Sequence, residues 1–113
     1  MLGRVEFRPP SYYALAALID GPLHGYAIVR RAAELSDGTV RLSTGTLYAL
    51  LERAMADGLV TAGEPYVERG RKRRDYTLTP AGRVALQAQA RSLAQAAKTV
   101  AIRLRASAEG VGA

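Results

Sequence analysis

The sequence contains no cysteine and no tryptophan, and only one phenylalanine, one histidine and two methionines among its 113 residues. Without cysteine there are no disulfides, no thiolate metal ligands and no cysteine nucleophile, which excludes a disulfide-stapled secreted scaffold and leaves the cytoplasm as the expected location. The single histidine, His24, lacks a partner set at ligand spacing and reads as a helix-start or core residue rather than a metal ligand or general base. No Ser/His/Asp set, paired carboxylates or phosphate-binding glycine loop can be assembled either, because Gly21, Gly25 and Gly45 lack the flanking elements such a loop needs. The expectation is a protein that is not an enzyme, with no metal and no cofactor.

Long apolar runs are also missing. The stretch Tyr12 to Ile19 follows Arg4 and Arg8 much as a signal core follows its basic start, yet it is too short to span a bilayer. It has no small-x-small cleavage pattern before Asp20-Gly21-Pro22, so it reads as a buried helix and no membrane partner is expected. Acidic residues are in deficit, ten against sixteen basic ones, giving a net charge of +6 and a balance that attracts polyanions. Lysine is scarce at two residues against fourteen arginines, which favours bidentate, weakly hydrated contacts of the kind phosphates accept. What is present in quantity is apolar: 49% of the chain, enough for a folded single domain over residues 1–113.

Pro9-Pro10-Ser11 starts a first helix whose Tyr12, Leu15, Ala16 and Ile19 fall at i, i+3, i+4 and i+7. Leu23-His24-Gly25 leads into a second, about Tyr26 to Leu35, with Tyr26, Val29 and Ala33 on one face. Ser43 is a good N-cap for a third, with Leu47, Leu50, Leu51 and Ala54 inward and Asp57-Gly58 as its stop. Leu59 to Val67 reads as a strand interrupted at Pro65, Glu68 to Lys72 as a charged turn around Gly70, and Arg73 to Leu78 as the returning strand. From Thr79-Pro80 to about Ala108 nothing breaks a helix, with Thr79 as cap and Pro80 at the first position. The fold class is α+β, mainly α: a winged helix-turn-helix with three helices, a two-stranded hairpin wing and a long C-terminal helix. Residues 11–78 form the expected DNA-binding core and 79–109 the expected dimerisation helix.

Three constellations carry the functional reading. In a helix-turn-helix the second helix of the motif enters the major groove with its N-terminal residues. Here that is the third helix, so Ser43, Thr44, Thr46 and Tyr48 are the candidate base and phosphate contacts, although Ser43 as a simple cap and Tyr48 as packing fit equally well. Arg69-Gly70-Arg71-Lys72-Arg73-Arg74 carries five cations in six residues, and at a hairpin tip Arg71, Lys72, Arg73 and Arg74 become a wing that tracks phosphates or enters a narrow minor groove. Along the last helix Leu86, Ala90, Leu93, Ala97, Val100 and Leu104 alternate spacings of four and three, a coiled-coil seam expected to join two copies of the chain. Tyr12 and Tyr13 beside that seam are candidates for clasping a planar effector, against the plainer reading that they belong to the core.

Leu23-His24-Gly25-Tyr26, Ser43-Thr44-Gly45-Thr46-Leu47-Tyr48-Ala49-Leu50-Leu51, Asp57-Gly58-Leu59-Val60 and Gly70-Arg71-Lys72-Arg73-Arg74-Asp75-Tyr76-Thr77-Leu78-Thr79-Pro80-Ala81-Gly82 together resemble the PadR family in order and spacing. The resemblance runs from about Tyr12 to Leu86. It implies a homodimeric transcriptional regulator, usually a repressor, that binds double-stranded DNA at an inverted repeat and is released by a small hydrophobic or phenolic effector or another signal. It places Tyr48 and its neighbours in the major groove, the Gly70 to Arg74 wing on the minor groove, and the last helix with the first in the dimer interface. The short tail resembles the compact branch of the family, with one dimerisation helix in place of a larger C-terminal domain. Two positions depart from the pattern: Asp75 stands where an aromatic residue is common, and Lys72 where proline is. A carboxylate at Asp75 would repel phosphate, so it is expected to pair with a neighbouring arginine or to point away. Rival readings remain a non-specific nucleic-acid module and a membrane-surface or protein-interaction module using Arg83, Arg91, Lys98, Arg103 and Arg105 of the last helix.

Overall fold

A computed structural model describes residues 6–111, so Arg4 and the outermost ends of the chain lie outside the described residues. Four helices and five short strands follow in the order α1 (Pro9–Ala16), β1 (Leu23–His24), α2 (Gly25–Leu35), α3 (Thr44–Ala56), β2 (Val60–Ala62), β3 (Tyr66–Glu68), β4 (Arg71–Arg73), β5 (Asp75–Leu78) and α4 (Pro80–Val111). This is the mainly helical α+β plan with a wing between the third and fourth helices. No described helix is long and apolar enough to cross a membrane.

The core lies where α1, α2 and α3 meet the sheet, and its largest fully enclosed side chains are Leu15, Leu18, Ile28, Leu47, Leu51 and Val60. On α3 the inward stripe is the one its spacing predicts: Leu47, Leu51 and Ala54 are buried and Leu50 is half-buried. On α1 the phase differs, because Ala14, Leu15, Ala17 and Leu18 are buried while Ile19 is 41% exposed. The cause is local: Leu18 and Ile19 donate to the carbonyls of Leu15 and Ala16, three residues back, and this tighter winding rotates Ile19 off the inner face. On α2 the buried face is Gly25, Ile28 and Ala32, one register from the expected Tyr26, Val29 and Ala33, and Tyr26 is 63% exposed.

The wing is more divided than a single hairpin. β5 lies between β1 and β2 in an antiparallel three-stranded sheet, and β3 pairs with β4 in a separate ladder nearer the tip. Gly63, Glu64 and Pro65 on one side and Arg74 on the other fall between the ladders. The tip is a two-residue turn in which Arg69 and Gly70 both have positive φ, 50° and 76°, the left-handed geometry of the tight turns that match strand twist. Lys72 therefore belongs to β4 and not to the turn.

Helix α4 begins on the domain and then leaves it. Thr79 caps it, its hydroxyl accepting from Gly82 N–H at 3.0 Å and donating to the Gly58 carbonyl at 2.7 Å. Leu86 is buried in the domain core. The Gln89 amide pairs with both backbone groups of Phe7, at 2.6 and 2.8 Å, and Arg83 donates to the Ile19 carbonyl at 2.9 Å. Beyond this, every residue from 90 to 110 is exposed. The radius of gyration, 17.7 Å against about 13 Å for a compact chain of this length, records the projecting rod.

Candidate nucleic-acid interface

Ser43 caps α3 by accepting from Thr46 N–H at 3.2 Å, and its own hydroxyl is 3.0 Å from Thr46 Oγ1. That exchange occupies Ser43 internally and leaves the Thr46 hydroxyl proton free to donate outward. Thr44 and Thr46 are exposed at the positive end of the helix, where free N–H groups favour an anion.

Tyr48 is 46% exposed. Its hydroxyl crosses the N-terminus of α2, where a Cβ built on Gly25 would stand 2.9 Å from it and 3.2 Å from Leu47 Cδ2. Only glycine permits this approach, which explains its place after His24. Tyr76 is buried, and its phenol is held above the usual range, first by burial and then by the charge of Tyr48. Tyr48 thus rests its hydroxyl end on Gly25 while nearly half of the residue stays open to solvent.

The five tip cations divide unequally. Arg69, Arg71, Lys72 and Arg74 are exposed, whereas the Arg73 side chain is only 19% exposed. Its Nη1 lies 3.1 Å from His24 Nδ1, and its Nε lies 3.3 Å from Glu68 Oε1, near enough for an ion pair but not aligned as a hydrogen bond. Of the two expectations for Asp75, an arginine pair or a turn away from the phosphates, the described residues show no arginine pair: Asp75 is half-buried and accepts from the Tyr66 hydroxyl at 2.6 Å. This bond is the main reason the Tyr66 phenol is held above its usual range. Five cations, Arg69, Arg71, Lys72, Arg73 and Arg74, against the Glu68 and Asp75 carboxylates keep the wing positive.

Three further side chains shape this surface. His24 caps α2, its Nδ1 accepting from Ala27 N–H at 3.2 Å, the helix-start role expected from its position, whereas the two pairings that follow were not foreseen. The exposed Tyr26 lies 5.8 Å under the Arg30 guanidinium on the same helix, an i,i+4 cation–π pair on its outer face. Arg31 is spanned by Asp20 and Glu34, both at 3.6 Å, so it adds little free charge to that face.

Behind this surface, α1 and α4 enclose a groove of about 350 Å³ lined by Tyr12, Ala16, Ile19, Arg83, Leu86 and Ala90 among others. Tyr12 lines it; Tyr13 stands edge-on to Tyr12, ring centres 5.4 Å apart, and packs on the core. Of the expected seam, Leu86 is committed to its own domain, while Ala90, Leu93, Ala97, Val100 and Leu104 are exposed. No group of three or more potential metal ligands is present among the described residues.

Comparison with known proteins agrees with this geometry. The model of the transcriptional regulator PadR-like family matches residues 14–88. An uncharacterised 37.1 kDa protein in a Streptomyces fradiae transposon is 47% identical over 81 residues, which are 72% of this chain and 22% of that protein. The transcriptional regulator Rv3488 of Mycobacterium tuberculosis is 43% identical over 81 residues, 72% of each chain. The crystal structure of Bacillus subtilis PadR in complex with operator DNA superposes with a TM-score of 0.63 at 24% identity, over 73% of this chain and 47% of that one. This chain thus spans about a fifth of the first of these proteins and about half of the last. With the matched segment running from α1 into α4 through the capped α3 and the basic wing, the chain belongs to the PadR-like family of transcriptional regulators.

Proposed function

We propose that the protein is a homodimeric, sequence-specific DNA-binding repressor, with residues 11–78 as the DNA-binding core and 79–109 as the dimerisation helix. The supporting observation is a chain of contacts: Tyr48 rests on Gly25, His24 adjoins Gly25, and Arg73 reaches His24. These contacts set the exposed edge of α3 beside the base of the cationic wing, so one duplex can meet both. Thr44, Thr46 and Tyr48 read or position bases in the major groove. Arg71, Lys72 and Arg74, with Arg69, hold phosphates, while Ser43 keeps the helix start rigid. Such a role belongs in the cytoplasm with the chromosome, and the operator complex of the Bacillus subtilis relative is consistent with it.

The α1/α4 groove is large enough for a small aromatic or hydrophobic effector resting on Tyr12. Its floor continues into the exposed seam, so an occupant would alter the angle at which a second copy packs and through it the spacing of the two α3 helices.

The deciding experiment is selection of bound duplexes from a random pool with the purified protein. The expected product is an inverted repeat with half-site centres about one helical turn, roughly 34 Å, apart. Recovery of unrelated sequences at equal affinity would leave only a non-specific nucleic-acid module.

Gly25→Ala tests the recognition helix. The new methyl group displaces the flexible end of Tyr48, so the fold should survive with a melting temperature within a few degrees of the parent. Affinity for the selected site should fall by roughly tenfold, as for one mismatched base pair. Equal affinity and equal base preference in the variant would remove Tyr48 from the readout.

A further inference from the structure

The wing's two ladders are not joined by any strand pairing among the described residues. The inner sheet ends where Gly63 N–H donates to the Asp75 carbonyl at 2.8 Å, and the outer ladder begins at the Tyr66–Arg73 pair. A two-stranded ribbon of three-residue strands has little rigidity of its own. Two side-chain contacts span the break: Tyr66 to Asp75, from β3 to β5, and Arg73 to His24, from β4 to β1.

The second contact reaches beyond the wing. His24 Nδ1 is the cap of α2, accepting from Ala27 N–H at 3.2 Å, and the Arg73 Nη1 lies 3.1 Å from the same atom. Both neighbours can only donate, so Nδ1 must present its lone pair and the ring proton resides on Nε2. Glu68 beside Arg73 Nε offsets part of the guanidinium charge. Arg73 is therefore the one tip cation whose side chain is drawn inward, and its neighbours Arg71, Lys72 and Arg74 are exposed.

We infer that Arg73 and His24 form a tether that fixes the inner end of the wing's outer ladder, and with it the basic tip, to the start of α2, which makes both of them positioning residues for DNA binding and not phosphate contacts. The inference rests on the DNA-binding reading. A wing held at one angle loses less freedom on binding than one that swings, so removing the tether weakens the complex without removing a charge that displaces a counterion.

The test compares the parent chain with Arg71→Ala, Arg73→Ala, His24→Ala, His24→Asn and the Arg73→Ala/His24→Ala pair on the selected duplex over a salt series. Arg71→Ala should lower the slope of log affinity against log salt by about one. Arg73→Ala and His24→Ala should each weaken binding roughly tenfold at a fixed salt concentration, with the parental slope, and the pair should lose no more than either alone. His24→Asn, whose amide oxygen can cap α2 and accept from Arg73, should recover most of the affinity. A slope decrease for Arg73→Ala equal to that for Arg71→Ala, or additive losses in the pair, would overturn the tether. So would unchanged affinity. Nitrogen NMR of the His24 ring without DNA separates this failure from that of the reading beneath it: the proton should be found on Nε2, with a shift change at Nδ1 in Arg73→Ala. An Nδ1-protonated ring would sink the tether even if the parent binds its operator, whereas a parent that binds no duplex would sink the DNA-binding reading itself.

Discussion

Replacing Leu93 and Val100 together by glutamate is expected to leave a folded chain that sediments as a monomer and binds its operator roughly 10²–10⁴-fold more weakly. In the isolated chain both side chains already face water, at 50% and 57% exposure, so the substitution removes no internal contact. The seam they belong to lies on a helix of 32 residues, about 48 Å, whose outer part has no covering surface in its own domain. A helix segment without tertiary support is marginal in water, and a stripe of Ala90, Leu93, Ala97, Val100 and Leu104 gains stability only against a second apolar stripe. Four carboxylates in such a seam would be desolvated beside one another, which no pairing of two copies tolerates. Loss of the dimer separates the two half-site contacts, and the affinity falls by their effective concentration. Sedimentation velocity at matched concentration checks the first expectation and operator titration the second. A variant that remains dimeric would move the interface off this face of α4.

Much of the fold is legible in the sequence because strong local signals agree. The α3 stripe, its Ser43 cap, the Thr79-Pro80 helix start and the glycine turn at the wing tip each follow from short-range chemistry. The phases of α1 and α2 were not legible to the same degree. In α1 a tightened final turn breaks the 3.6-residue period that the stripe assumed, and in α2 the contact between Gly25 and Tyr48 selects the buried register. The first departs from the ideal period within its own segment, and the second depends on a side chain of another helix. The same holds at the wing: composition locates the cations, but which of them is free depends on His24, which lies 49 residues from Arg73 and is brought close by the pairing of β1 with β5. Leu86 fits the seam by spacing, and α4 leaves the domain only after it, so the first seam position is spent on the chain's own core.

The sharpest test of how α4 is seated is Gly82→Ala, for which two physical effects predict opposite signs. Within a helix, alanine is favoured over glycine by about 1 kcal/mol, so propensity alone predicts a more stable protein. At Gly82, however, a Cβ would collide with the Leu59 carbonyl oxygen and stand 2.7 Å from Leu78 Cδ1. The Leu59 carbonyl cannot retreat easily, because it accepts from Thr79 N–H at 3.0 Å at the very start of α4. Nor can the helix lift away without breaking the Thr79 cap and withdrawing Leu86 from the core. Overpacking against backbone of this kind costs about 3 kcal/mol, which exceeds the propensity gain and leaves a net destabilisation of about 2 kcal/mol. For a domain of this size that lowers the melting temperature by roughly 10 °C, measured at matched concentration so that dimer dissociation contributes equally. Gly110→Ala is the control, since that glycine lies at the far end of the same helix with nothing within 4 Å of a built Cβ and should leave the melting temperature within a degree or so of the parent, about the effect of an ordinary surface change. Stabilisation of the Gly82→Ala variant would mean that α4 approaches Leu59 and Leu78 less closely than the Thr79-Pro80-Ala81-Gly82 junction requires.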